Sequence, residues 1–212
     1  MSIGILFDLD GTLLDTLQDL TDSVNATMDH YGCPHRTVAE VRDFIGNGAR
    51  RLIQLSLPGK DDDPDVEEAL AYYQSYYKAH SKIKTRPYEG IVGALQTLAE
   101  KHPVAIVSNK PDAATKALCR EFFPGINARG EQPDCPRKPA PDMLLRAMQD
   151  IGVERGIYVG DSEVDVITAE RAGCRCLSVL WGFRDRDVLE KAGGKHFCPA
   201  PDQILACIEQ LL

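Results

Sequence analysis

Two aspartates, Asp8 and Asp10, stand two residues apart at the end of the apolar run Ile3-Gly4-Ile5-Leu6-Phe7, and Gly11 follows at once. A buried strand that ends in carboxylates needs a counter-charge, because an unpaired carboxylate is costly to desolvate. Mg2+ suits such a pair: it takes oxygen ligands, usually one or two carboxylates, with water and substrate phosphate completing its shell. Residues i and i+2 of an extended chain share one face, and glycine allows a sharp turn that brings backbone N–H groups near a ligand. Three further segments supply complementary groups. Ser108 and Asn109 follow the apolar run 104–107, and Asp161, with Asp165 one helical turn later, follows the run 157–159. Lys138 lies in the proline-rich stretch Pro136-Arg137-Lys138-Pro139-Ala140-Pro141. Carboxylates, a hydroxyl and a lysine gathered at one rim are the inventory for moving a phosphoryl group.

Each piece has a plainer reading when taken alone. Asp8 and Asp10 then mark a solvated turn, Asp161-Ser162 with Asp165 a helix start with an acidic first turn, Lys138 an exposed loop lysine, and Ser108-Asn109 a strand-to-helix turn. The chemical reading rests on all four occurring in order, each after a predicted strand or in the loop between two of them.

The elements that must position these residues follow from patterning. Strands are predicted at 3–7, 104–108, 157–160 and 176–180, with a weak one at 126–128. Helices are predicted at 91–101, 113–123, 141–151, 163–172, 188–192 and 203–212. This alternation predicts an α/β fold, a Rossmann-like core with a mostly parallel sheet flanked by helices. In such sheets, ligands bind beyond the carboxyl ends of the strands. One segment departs from the alternation: between residues 15 and 86 only helices are expected, at 13–31, 38–44, 49–57 and 66–82, punctuated by glycine and proline. The domains are therefore expected to be a core of 1–14 and 87–212 and an inserted α-helical cap of 15–86. Tyr72, Tyr73, Tyr76 and Tyr77 fall at helical spacing, which favours packing between helices over stacking on a ligand. The run Asp61-Asp62-Asp63 beside Pro64 reads as a solvated turn.

A net charge of −8 over 212 residues argues against a nucleic-acid surface and against binding to anionic lipid. No apolar run is long enough for a membrane span. Seven cysteines and no recognisable export signal predict a reduced, cytoplasmic protein. Cys174, Cys176, His196 and Cys198 match no common zinc spacing and read as core residues.

Phe7-Asp8-Leu9-Asp10-Gly11-Thr12, Ser108, Lys138 in Lys-Pro-x-Pro and Gly160-Asp161-Ser162-Glu163-Val164-Asp165 together resemble the four motifs of the haloacid dehalogenase-like phosphatase superfamily. The helical insertion resembles the cap of one branch. Within it, Phe44-Ile45-Gly46-Asn47-Gly48, Pro87-Tyr88-Glu89-Gly90 and Val107-Ser108-Asn109-Lys110-Pro111 are similar to phosphoglycolate phosphatases. The resemblance implies a Mg2+-dependent hydrolysis of a small phosphate ester. Asp8 is then the nucleophile and Asp10 the acid and base. The metal is held by Asp8, Asp10 through its backbone carbonyl, and Asp161, with Asp165 orienting its waters or Lys138. Lys138 and Ser108 bind the phosphoryl oxygens, helped by backbone N–H groups of Leu9, Gly11 and Asn109, and Thr12 steadies Asp10 and the turn. In the cap, Gly46, Asn47 and Arg50 head a helix whose N-terminus either reads the carboxylate of a phosphorylated acid or is a plain turn between helices. The cap is expected to exclude water once substrate is bound.

A small-molecule phosphate ester is thus the expected partner of a monomer or weak homodimer. Competing readings are a sugar-phosphate mutase on the same framework, a pyrophosphatase or broad sugar or nucleotide phosphatase, a dehalogenase, and a non-catalytic binding scaffold. The dehalogenase needs neither Asp10 nor a metal.

Overall fold

The computed structural model describes residues 2–59 and 66–212, so the Asp61–Asp63 charge run lies outside the described residues. The chain divides into two compact units, Met1–Leu14 with Pro87–Leu212, and Asp15–Arg86.

The first unit is built on a six-stranded sheet of order β5-β4-β1-β6-β7-β8, every pairing parallel. Its strands are β1 (Ile3–Phe7), β4 (Val104–Pro111), β5 (Asn127–Glu131), β6 (Arg155–Gly160), β7 (Arg175–Val179) and β8 (Phe197–Cys198). Between and after them run α5 (Ile91–Ala99), α6 (Asp112–Phe122), α7 (Asp142–Asp150), α8 (Glu163–Arg171), α9 (Arg186–Lys191) and α10 (Ile204–Glu209), the last preceded by a short 3-10 turn at Pro201–Gln203.

The sheet is buried on both faces, which is why its strands read as unbroken apolar runs. Ile5 and Phe7 of β1 join Ile106, Val159 and Val179 in a core that also takes Ile91, Leu95, Leu118 and Ile208 from the helices. Leu6, between them in sequence, faces the opposite core with Ala105, Val107, Tyr158, Met143 and Leu144. β1 pairs with β4 on one side and β6 on the other, so the chain order reverses about β1, the place where open α/β sheets bind ligands.

Two details depart from the expectation. β8, with two residues, is too short to leave an apolar signature. The helix expected from residue 13 begins at Leu17 instead. Gly11, at φ 79°, turns the chain so that the N–H groups of Leu13 and Leu14 both donate to the Leu9 carbonyl at 3.0 Å. Leu13 and Leu14 are thereby fully buried in the sheet's core. Their spacing from Leu17 and Leu20 imitates a helical stripe that belongs to two different structures. β2 (Leu14–Asp15) and β3 (Arg86–Pro87), where the chain leaves and re-enters the first unit, pair as a two-stranded sheet.

The second unit consists of α1 (Leu17–His30), α2 (Val38–Phe44), α3 (Gly48–Ser56) and α4 (Val66–His80). Thr37 and Glu40 form a capping box that starts α2. The buried Asp19 carboxylate accepts from the backbone N–H groups of Lys84 and Thr85 at 2.8 to 3.0 Å, tying α1 to the segment after α4. Tyr73 and Tyr77 are buried, and Tyr72 stacks on His30 of α1 with ring centroids 4.0 Å apart. Tyr72 thus packs between helices, while Tyr76 stacks on Tyr72 and His80 of its own helix. Among the described residues, no helix is long and apolar enough to cross a membrane.

Candidate active site

Asp8 is the first residue beyond β1, and its N–H donates to the Val159 carbonyl of β6 at 2.8 Å. Its Oδ1 lies 2.8 Å from Nζ of Lys138. The same ammonium is 2.7 Å from Oδ1 of Asp165 and 2.8 Å from the hydroxyl of Tyr158. An ammonium has three N–H donors, and here three acceptors meet them. Lys138 reaches this point because the Asn109 side chain latches its backbone. The Lys138 N–H donates to Asn109 Oδ1, and Asn109 Nδ2 donates to the Lys138 carbonyl, both at 2.9 Å. Asn109, expected as a backbone donor, thus also fastens the lysine loop to the end of β4.

Asp161 and Asp165 follow β6. Asp165 Oδ2 accepts from the Ser162 hydroxyl at 2.6 Å and the Ser162 N–H at 3.1 Å, part of a capping box that starts α8. The segment is a helix start and also part of the buried cluster, since Asp165 uses one oxygen for the cap and the other for Lys138. Asp161 Oδ2 accepts from the Phe183 N–H at 2.7 Å, and its Oδ1 from the Thr12 hydroxyl at 3.2 Å. Thr12 therefore steadies Asp161 rather than Asp10. A Cβ on Gly11 would lie 2.3 Å from Asp161 Oδ2, so the turn after Asp10 needs glycine for proximity as well as for its positive φ. Asp10 turns to a different partner, with its Oδ2 3.1 Å from Nζ of Lys110. Ser108 is buried at the end of the same strand, its Oγ accepting from the Lys110 N–H at 3.2 Å.

Asp8, Asp161 and Asp165 each place a carboxylate oxygen within 4.8 Å of the other two, all buried. Among the described residues this is the one such group of three or more His, Cys, Asp or Glu ligands, and Cys174, Cys176, His196 and Cys198 form none. Burial pushes the Asp8 carboxyl well up, against the pull of Lys138 and with the push of Asp165 and Asp161. Burial and then Asp165 raise Asp161 to about 7. Burial opposes charge on Lys138, but Asp165 and Asp8 outweigh it and raise its pKa, so it stays an ammonium. When all three are ionised, the carboxylates around this one ammonium carry an excess of two negative charges. An all-oxygen donor set with that excess fits a hard divalent cation.

The start of α3 belongs to the second unit. Asn47 precedes the helix between Gly46 and Gly48, both at positive φ. The Arg50 Nε lies 2.7 Å from Oε1 of Glu67, with both side chains at least half exposed.

Residues 5–179 match the model of the haloacid dehalogenase-like hydrolases. The chain belongs to that family. It is 35% identical to phosphoglycolate phosphatase 1 of Pseudomonas aeruginosa, over 89% of this chain and 73% of that one. It is also 35% identical to a phosphoglycolate phosphatase of Cereibacter sphaeroides, over 88% and 89%. A crystal structure from Lactobacillus delbrueckii subsp. bulgaricus superposes with a TM-score of 0.90 at 33% identity, over 98% of this chain and 99% of that one. A haloacid dehalogenase-like hydrolase of Streptococcus pneumoniae, 24% identical, shares the fold with a TM-score of 0.88 over 98% of both chains. As a haloacid dehalogenase-like hydrolase the chain is an enzyme of the phosphatase class.

Three participants escape a reading of the sequence. Tyr158, inside β6, looks like a core aromatic, and it is fully buried. Yet its hydroxyl accepts a hydrogen bond from the Lys138 ammonium and can donate to Asp165 Oδ1 at 3.1 Å or the Val107 carbonyl at 3.2 Å. Lys110 looks like a solvated lysine. The Phe183 N–H is a backbone donor that no side chain announces. The position of Tyr158 makes a prediction. Tyr158→Phe deprives Lys138 of one acceptor inside a closed network, so kcat should fall about tenfold with KM little changed, and unfolding free energy should fall by about 1–2 kcal/mol. Steady-state kinetics and urea denaturation check both numbers.

Proposed function

We propose that this enzyme hydrolyses a small phosphorylated acid, 2-phosphoglycolate above others, through a phosphoryl group carried on Asp8. The observation that carries this reading is the Lys138 ammonium joining Asp8 to Asp165 beside Asp161. The names of the relatives at 35% identity support the choice of substrate.

Asp8 attacks phosphorus, the bond to the ester oxygen breaks, and its electron pair goes to that oxygen, which takes a proton from Asp10. Water then attacks phosphorus, giving a proton to Asp10, while the bond from phosphorus to the Asp8 oxygen breaks and its electron pair returns to the carboxylate as inorganic phosphate leaves. Lys138 favours the ionised form of Asp8 and balances charge on the phosphoryl oxygens, and Ser108 donates to them. Asp8, Asp161 and the backbone carbonyl of Asp10 are the candidates to hold Mg2+, with Asp165 oriented behind them. When bound, the ion neutralises repulsion between the carboxylates and the phosphate dianion. The Leu9 N–H belongs to the same turn, whereas the Gly11 N–H, expected to serve the phosphoryl oxygens, is already taken by the Leu14 carbonyl at 2.9 Å. All seven cysteines are free, which suits a reducing, cytoplasmic setting.

The metal assignment predicts a pH dependence. Without metal, Asp161 holds its proton up to about 7 when folded, against an ordinary value of 3.8 when unfolded. Between those values the folded state binds the extra proton, so this group makes the metal-free protein less stable as pH rises through that window. Mg2+ has to displace that proton. The gain in Tm on adding Mg2+ should therefore be larger near pH 8 than near pH 5, as measured by scanning calorimetry. An equal gain at both would count against Asp161 as a ligand.

Recognition of the acid's carboxylate is assigned to the start of α3, through Gly46, Asn47 and Arg50. Asn47→Ala should raise KM for 2-phosphoglycolate about tenfold and leave KM for a neutral phosphate ester within about twofold. Equal shifts would remove the assignment. Phosphate release from a panel of esters, with and without Mg2+, tests the function as a whole. Rearranged sugar phosphate without net phosphate release would point to a mutase instead.

A further inference from the structure

We propose that Lys110 is the positioning residue for Asp10, holding its carboxyl where the leaving-group oxygen emerges. The inference rests on the phosphatase reading above and assigns a residue to which that reading gives no role. Lysine is almost never buried without a partner. The Lys110 side chain is 4% exposed, and its ammonium lies 3.1 Å from Asp10 Oδ2.

The backbone is shaped to put it there. β4 pairs Val107 with Arg129 and then Pro111 with Glu131, so it spends four residues where β5 spends two. A regular strand sends successive side chains to opposite faces. An irregularity of this kind re-aims side chains, and such features gather beside active sites. Here it lets three consecutive buried residues serve the same site. Ser108 Oγ holds the Lys110 N–H, Asn109 latches the Lys138 loop, and Lys110 takes Asp10. The irregular stretch is itself held. The Thr115 hydroxyl donates to the Lys110 carbonyl at 3.2 Å, and a Cβ on Gly130 would come within 2.6 Å of that carbonyl oxygen. β5 thus closes on the stretch only because residue 130 is glycine.

Asp10 acts on the ester oxygen while the bond from phosphorus to that oxygen breaks and the bond from Asp8 to phosphorus forms. Transfer of its proton depends on geometry to a fraction of an ångström. Alkyl esters, whose alcohols are poor leaving groups, depend on that proton. A p-nitrophenyl ester departs as a stable phenolate and does not. Asp8, Lys138 and Ser108 serve both ester types alike. Damage confined to the position of Asp10 therefore shows as discrimination between leaving groups, which a general loosening of the fold would not produce.

The test compares kcat/KM for 2-phosphoglycolate and p-nitrophenyl phosphate in wild type, K110M and K110R, with β-glycerophosphate as a second alkyl ester. K110M should lose about 100-fold on the alkyl esters and less than about 5-fold on the aryl ester. K110R, which keeps a cation in reach of Asp10, should recover about tenfold of the alkyl loss. Equal losses on both ester types, or no loss on either, overturn the role of Lys110 and leave the phosphatase reading intact. A wild type that hydrolyses none of the three overturns the phosphatase reading and this inference together. If K110M lacks a cooperative thermal transition, the ratio in K110R decides: unequal losses support the role and equal losses overturn it.

Discussion

Asp8→Asn is expected to lower kcat by about four orders of magnitude or more, with no loss of thermal stability in metal-free buffer. An amide cannot carry the phosphoryl group, so the covalent route closes outright. The stability half of the prediction comes from the electrostatics. Asp8 is one of three buried carboxylates within 4.8 Å of each other. Burial, Asp165 and Asp161 all work against its charge, while Lys138 favours it. Removing that charge leaves Lys138 paired with Asp165 at 2.7 Å and relieves the crowding. Phosphate-release kinetics and scanning calorimetry on one preparation separate the two effects. A variant that is both inactive and strongly destabilised would make Asp8 a structural residue first.

Lys138→Met should have the opposite profile, losing activity and stability together. Its ammonium serves Asp8, Asp165 and the Tyr158 hydroxyl. Without it, two carboxylates stay buried with no cation between them. Breaking a buried pair in this way typically costs about 3–5 kcal/mol. The loss should deepen as pH rises, because the abandoned carboxylates avoid their charge at low pH by keeping their protons and surrender them at high pH. Activity should fall by about a thousandfold or more, since both the pull that favours ionised Asp8 and the countercharge on the phosphoryl oxygens are lost. Chemical denaturation across a pH series, together with kcat, reads all of this. A variant as stable as wild type at high pH would contradict the network.

Comparison of these residues with the sequence shows what kind of information a chain displays. Asp8, Asp10 and Gly11 are legible because charge at the end of an apolar strand violates an expectation, and the violation is local. Ser108 and Asp161 become legible once the alternation of strands and helices places them at matching ends. Lys138 is legible only by its company, since a lysine in a proline-rich loop looks solvated, and only the folded chain shows it 2% exposed. Tyr158 and Lys110 lie beyond local reasoning. Their significance is a contact with a partner distant in sequence, Lys138 in one case and Asp10 in the other. Tyr158 also occupies a strand position where burial alone would explain it, while Lys110 follows the predicted strand and looks solvated.

The two-residue strand β8 leaves too little pattern to detect. Leu13 and Leu14 show a pattern that misleads, because a glycine-driven turn takes them into the sheet's core just before α1 begins. The mixed role of Asp165 has a related cause. One carboxylate can satisfy a helix start with one oxygen and a buried lysine with the other, so a cap and a buried ion pair coexist at one residue.

The stereochemical course at phosphorus, measured with an isotopically chiral phosphate monoester in labelled water, tests the central claim most directly. Transfer to Asp8 followed by hydrolysis is two in-line displacements, each inverting the centre, and predicts net retention of configuration. Net inversion would mean that water attacks the ester in a single step, and would contradict a phosphoryl group carried on Asp8.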